Sequence, residues 1–86
     1  MFSATVTVKN RTGLHARPAS QLVMLSQKFE SQLTIIGNDT EIDPKSIISV
    51  LSGGVKQGTA IEIKAEGADE EAAVNEIVAL IESFTE

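Results

Sequence analysis

Phe2, Ala4, Val6 and Val8 alternate with polar residues, so the chain opens with a predicted strand, Phe2–Val8, that buries one face. The polar run Lys9-Asn-Arg-Thr-Gly13 ends it in a turn. From Ala16 to Phe29 the period changes. Ala19, Leu22, Val23 and Phe29 follow helical spacing, and Gln21, Ser26 and Gln27 are expected on the outside. Pro18 suits the first turn of that helix, where a missing backbone N–H costs nothing. Gln32–Ile36 alternates again through Leu33 and Ile35, and Gly37-Asn38-Asp39 turns it into a short strand, Thr40–Asp43, to make a hairpin. Asp43-Pro44-Lys45-Ser46 then breaks the chain before a short helix, Ile47–Ser52, which Gly53-Gly54 stops. Ala60–Glu66 is a further strand, burying Ile61, Ile63 and Ala65. After Gly67 the clearest helix, Asp69–Phe84, carries the stripe Val74, Ile77, Val78, Ile81 and Phe84. Asp69, Glu70 and Glu71 in its first turn suit the positive end of the helix dipole.

The order is β-α-β-β-α-β-α. Each strand has one apolar face and each helix one apolar stripe, which implies an α+β fold of two layers, helices on one side of an antiparallel sheet. The chain has 86 residues and no dividing linker, so residues 1–86 are expected to form a single domain. Such an architecture hosts many functions and settles none.

Composition narrows the chemistry. There is no Cys, which removes thiolate nucleophiles, Cys-ligated zinc, iron–sulfur centres and disulfides. A single His cannot build a multi-histidine metal site, and no metal or other cofactor is expected. No stretch approaches the ~18–20 apolar residues that span a bilayer, and the polar alternation at the start is not a signal peptide. A cytoplasmic protein without membrane insertion is the expectation. The net charge is −5, all of it carried by residues 44–86, so the first half is neutral and alone hospitable to an anion. Without a basic stripe or aromatic platform, direct nucleic-acid binding is a poor reading.

The informative segment is Gly13-Leu-His-Ala-Arg-Pro-Ala19. It sets the only His where a turn meets a helix, so the amides of the first helical turn, from Ala16 onward, converge there as an anion site. Arg17 can add guanidinium donors to phosphate oxygens. A neutral imidazole is a competent nucleophile toward phosphorus, and a helix N-terminus disfavours its protonated form. The combination suits transient phosphohistidine formation. By position alone, however, a lone His near a helix start is more often a capping or solvent-exposed residue, and Gly13 an ordinary turn residue.

The sequence closely resembles the HPr family, the histidine-containing phosphocarriers of the bacterial phosphoenolpyruvate-dependent sugar phosphotransferase system. The resemblance covers essentially the whole chain. It includes Val6-Thr-Val8, the run Gly13–Ala19, Lys45-Ser-Ile47, Gly54-Val-Lys-Gln-Gly58 and Ala65-Glu-Gly-Ala-Asp-Glu-Glu71. It implies an open-faced β-sandwich with a four-stranded antiparallel sheet and three helices on one face. It also implies that His15 is the phosphoryl acceptor, on Nδ1, and that Arg17 stabilises the group in transit. Enzyme I would be the donor and the IIA domains of sugar permeases the acceptors, so the chain would be a carrier rather than an enzyme; a monomer is the default expectation. Thr12, Ala16 and Ser20 would border the acceptor in a docking surface, with Lys45, Ile47, Ile48 and Leu51 extending it.

Ser46 reads structurally as an N-cap, worth about 1 kcal/mol over Ala. By resemblance it is also a target for an HPr kinase/phosphorylase, which would add a catabolite-control transcription factor to the partners. Spacing on the short helix places Ile47, Val50 and Leu51 toward the core and Ile48 outward. Here the chain departs from the commoner family pattern: Ile48 replaces a frequent Met, Ser49 a frequent Gly, and Gly53 a frequent Leu. Two alternatives stay open: a regulatory paralogue acting through phosphorylated Ser46, and a carrier of a nitrogen-related phosphotransfer branch. The acids of the last helix are expected away from His15, with Arg17 and Lys45 near it.

Overall fold

A computed structural model describes residues 1–85. The elements run β1 (Phe2–Thr7), α1 (Arg17–Ser26), β2 (Gln32–Gly37), β3 (Thr40–Ile42), α2 (Ile47–Ser52), β4 (Ala60–Glu66) and α3 (Glu70–Ser83). The four strands form one antiparallel sheet in the order β1-β4-β2-β3. The α+β order and the open-faced sheet therefore match the pattern of the sequence.

Register explains the core. Ala4 pairs with Ile63, Ile63 with Ile35, and Ile35 with Ile42, so one apolar row crosses all four strands. Val6 pairs with Ile61, and Leu33 with Ala65, on the same face. Because side chains alternate at period two, this whole face is covered once the helices lie on it. Ala19, Leu22 and Val23 of α1, Val50 of α2, and Ala73, Val74, Ile77 and Ile81 of α3 supply the cover and are buried. The β2–β3 hairpin turns through Asn38 and Asp39, at φ 54° and 58°, the pair of positive angles that a two-residue turn needs. No helix of the described residues is long and apolar enough to cross a membrane.

Two local expectations need correction. Ser26 is buried, not outward. It continues the stripe of Leu22 and Val23 by one more turn, and its small side chain is accepted there although its Oγ has no hydrogen-bond partner. On α2, Val50 is buried, but Ile47 and Leu51 are about two-fifths exposed and join Ile48, at 74%, on the outer surface. The helix is too short, and packed too much through Val50 alone, to bury all of its apolar residues.

The pairing also defines two ends. β1 runs from Phe2, opposite Ala65, to Thr7, opposite Ala60. The β1–α1 and α2–β4 loops thus meet at one end of the sheet. The α1–β2 and β4–α3 loops meet at the other.

Candidate functional site

The loop between β1 and α1 is built on a buried asparagine. Asn10, 4% exposed, donates from Nδ2 to the Gly13 carbonyl at 2.8 Å and to Thr12 Oγ1 at 3.4 Å, while Gly13 N–H donates to Asn10 O at 3.2 Å. Gly13 takes φ +62° and lies flat on the neighbouring loop: a Cβ built on it would fall 2.3 Å from the Val55 carbonyl oxygen. The next residue closes the seam, with Leu14 N–H donating to that same carbonyl at 3.1 Å and its side chain buried. Gly13 is therefore a packing requirement and not merely a turn residue.

Held between buried Leu14 and the helix, His15 is exposed. Ala16 follows in an unusual conformation, φ 58° and ψ −129°, outside the helix that the sequence pattern assigned to it. A non-glycine residue there stores on the order of 1–3 kcal/mol and persists only where its surroundings hold it. The surroundings do so. Leu14 is buried before it, Pro18 and Ala19 are buried after it, and Ser20 N–H donates to Ala16 O at 3.2 Å as α1 begins. The reversal turns the chain into α1 at Arg17, so the N–H groups of the first turn point back toward residues 15 and 16, an arrangement that favours anions. Arg17 and Ser20 are exposed on that first turn, as is Thr12 across the loop. The structure thus brings together Thr12, His15, Ala16, Arg17 and Ser20.

It does not bring Lys45 to them. Lys45 donates from Nζ to the carbonyls of Phe29 at 2.8 Å and Ser31 at 2.9 Å, and its own carbonyl accepts from Gln27 Nε2 at 3.1 Å. These partners flank the C-terminal end of α1, and ten residues of helix separate it from His15 by about 15 Å. Lys45 ties α2 to the α1–β2 loop instead. The acids of α3 need a similar correction. Glu70 and Glu71 lie at the end away from His15, but α3 runs back along the sheet and brings Glu82 toward the His15 end.

Ser46 caps α2 as the sequence suggested: its Oγ accepts the Ser49 N–H at 3.3 Å and its carbonyl the Val50 N–H at 3.0 Å. Ser49 has its own task, its Oγ accepting the Asp43 N–H at 2.8 Å, which fastens the chain ahead of the helix. Sequence reasoning missed Asn10, Val55 and Asp69. An Asn three residues before a turn glycine is a recognisable signal for the first. The others depend on contacts between distant segments. Clefts of about 380 and 260 Å³ are lined by residues of the sheet and its flanks, and neither touches the His15 loop.

A family model for the "PTS HPr component phosphorylation site" matches residues 2–83. The chain belongs to the HPr family. It is 47% identical over 83 residues to phosphocarrier protein HPr of Mycoplasma pneumoniae, covering 95% of this chain and 94% of that one. To phosphocarrier protein NPr of Proteus mirabilis it is 42% identical over 79 residues, covering 91% and 88%. Its fold matches the crystal structure of an HPr from Thermoanaerobacter tengcongensis with a TM-score of 0.93, at 44% identity, over 96% and 93% of the two chains. The HPr family comprises phosphocarriers of the phosphotransferase system, which agrees with a surface loop that exposes one imidazole.

Proposed function

We propose that this chain is a general phosphocarrier in which His15 takes a phosphoryl group from enzyme I and passes it to the IIA domains of sugar permeases. One observation carries the reading: the chain's only imidazole is exposed on a loop braced by buried neighbours, at the start of a helix, two residues from an exposed guanidinium. The balance of the step is simple. The N–P bond on the donor breaks as the bond to His15 Nδ1 forms in line, and the reverse exchange discharges the carrier. In-line transfer between two imidazoles needs positioning and charge stabilisation. The backbone N–H groups of α1 and the Arg17 guanidinium face the equatorial oxygens. Most of each composite site belongs to the partner, so the carrier itself turns nothing over.

Residues 1–86 act as one domain, as a monomer in the cytoplasm. The exposed apolar residues Ile47, Ile48 and Leu51 of α2, with Thr12, Ala16 and Ser20 around the loop, form the docking surface. Ser46 is the regulatory target of an HPr kinase/phosphorylase, and its phosphorylated form serves a catabolite-control transcription factor. A dianion on Ser46 sits at the start of α2, beside Ile47 and Ile48, and obstructs docking there rather than opposing the His15 phosphate directly. The presence of His15 and Arg17 together favours the carrier over a module acting through Ser46 alone.

The test is incubation with enzyme I and phosphoenolpyruvate. An acid-labile, alkali-stable phosphate is expected on the native chain and none on His15→Ala. Equal labelling of that variant overturns the assignment. Transfer from the labelled chain to sugar IIA domains, compared with acceptors of a nitrogen-related branch, decides between the two kinds of carrier.

A further inference from the structure

The sheet is unfinished along one edge of β2. Val8 N–H donates to Thr59 O at 2.9 Å, so the even residues of β1 turn their main-chain groups to β4. The odd residues of β4 then answer β1, and Glu62, Lys64 and Glu66 bond instead to Ile36, Thr34 and Gln32 of β2. That leaves Leu33, Ile35 and Gly37 facing β3. Gly37 pairs with Thr40 and Ile35 with Ile42, but β3 ends there. Continued by one step, the register would set Pro44 opposite Leu33, and proline has no N–H to donate. The chain turns away instead, Ser46 N–H donating to Asp43 O at 3.0 Å and Lys45 N–H to Asp43 Oδ1 at 2.9 Å. Leu33 N–H and C=O therefore face a gap in the sheet. The cleft of about 380 Å³ lies there, lined by buried Leu33 and Ile42 beside Glu41, Asp43, Lys45 and Ser49.

We propose that this gap takes an extended segment of a partner protein as an added strand beside Leu33, with a Lys or Arg of that segment held by Glu41 and Asp43. An open strand edge binds extended chains through its main-chain groups, and flanking side chains select among them. Residues Gln32, Leu33 and Thr34 include neither the Lys nor the Pro that guards natural edges against such pairing. Glu41 and Asp43 are exposed, and among the described residues neither is in an ion pair. The cleft's own cation does not answer them, because Lys45 Nζ is committed to the carbonyls of Phe29 and Ser31. Charge therefore selects a cationic segment. A second copy of this chain fits less well, since the outer edge it would offer, β1 from Phe2 to Thr7, has no Lys or Arg. The open stretch spans about 10 Å, enough for three residues of an added strand. The cleft excludes the His15 loop, so a segment bound here leaves that loop open, and the inference does not rest on His15 being an acceptor.

The experiment is NMR on the full chain, first alone and then with a peptide. In the free chain the Leu33 amide should exchange with solvent at least roughly tenfold faster than those of Ile35 and Gly37. Protection of Leu33 equal to theirs would overturn the open edge. The probe is the end-blocked pentapeptide Thr-Val-Lys-Val-Thr, titrated to millimolar concentration against its counterpart with Glu in place of Lys. The lysine peptide is expected to shift the Leu33 and Ile42 amide resonances saturably and to slow Leu33 exchange. The glutamate peptide should bind roughly threefold or more weakly, and Glu41→Lys, whose thermal unfolding is measured alongside, should reverse that order. Shifts that are absent at millimolar peptide, or equal for both peptides, would overturn the proposal. Slowing of Leu33 exchange with rising concentration of the chain alone, together with dimer in sedimentation, would overturn it in favour of a second copy. None of these outcomes alters phosphoryl acceptance by His15, so the two readings fail separately.

Discussion

Gly13 and the Val55 carbonyl are packed so closely that a methyl group on the glycine would sit 2.3 Å from that oxygen. The contact joins the loop carrying His15 to the loop after α2, so His15 rests on a segment forty residues away in sequence. Gly13→Ala must both adopt φ +62° and push the Val55 loop aside. The left-handed angle alone costs about 1–2 kcal/mol, and the collision adds to it, for a loss on the order of 2–4 kcal/mol. Urea unfolding measures this, and phosphoryl acceptance should slow in the same variant because His15 moves with the loop. A midpoint indistinguishable from that of the native chain would show that the loops are not coupled.

The opposite end of the molecule is held by a carboxylate. Asp69 accepts from the backbone N–H groups of Glu30 and Ser31, each at 2.9 Å, and from the Ser31 hydroxyl. The Ser31 hydroxyl first, then the Glu30 N–H, hold its carboxyl below the ordinary value of 3.8. Glu70 is lowered in the same way, chiefly by the Gly67 N–H and then by the terminal ammonium of Met1 at 3.1 Å. A carboxyl whose folded pKa is depressed contributes stability that is complete above its unfolded value and disappears as pH falls through the folded one. Asp69→Asn should therefore lower stability at neutral pH, and the gap from the native chain should close on acidification below about pH 4. Denaturant midpoints from neutral to acid pH are the check. A gap that stays constant would mean the carboxylate charge plays no part.

The strands and helices were legible because their signals are local: period-two alternation in β1, β2 and β4, helical stripes in α1 and α3, Pro18 at a helix start and Gly53 at a helix end. The candidate site was legible for the same reason, since Gly13 to Ser20 are consecutive. What escaped depends on contacts between distant segments. Nothing in an Ala announces φ 58°, and Ala16 is held there by buried residues on both sides. Lys45 looks like a surface cation until Phe29 and Ser31 present their carbonyls. Asp69 looks like a helix-capping acid, yet it makes no side-chain cap bond and turns to the α1–β2 loop.

Ile48 separates docking from folding. At 74% exposure it contributes little to the core, so Ile48→Ser should change unfolding free energy by no more than about 0.5 kcal/mol. As the most exposed apolar side chain of α2, the helix proposed to dock partners, its replacement should instead raise the apparent KM for transfer to a IIA domain by roughly fivefold or more. Steady-state transfer with limiting carrier reads this directly. An unchanged KM would move the docking surface off α2.

Gly53 and Ile42 form the last coupled pair, and they give a physical reason for one departure from the commoner family pattern. A Cβ on Gly53 would lie 2.4 Å from Ile42 Cδ1, so the isoleucine of β3 already fills the space that a larger residue at 53 would need. The Gly53 backbone, at φ −69°, accepts any residue, which makes the obstacle purely one of volume. Gly53→Leu should cost about 1–3 kcal/mol by overpacking. Ile42→Ala should cost about 2–5 kcal/mol by leaving a cavity where a fully buried side chain stood. Combined, each change relieves the other, and the double variant should lose at least about 1 kcal/mol less than the two single losses together. Equilibrium unfolding of the four chains closes the cycle, and simple additivity would show that residues 42 and 53 do not share that volume.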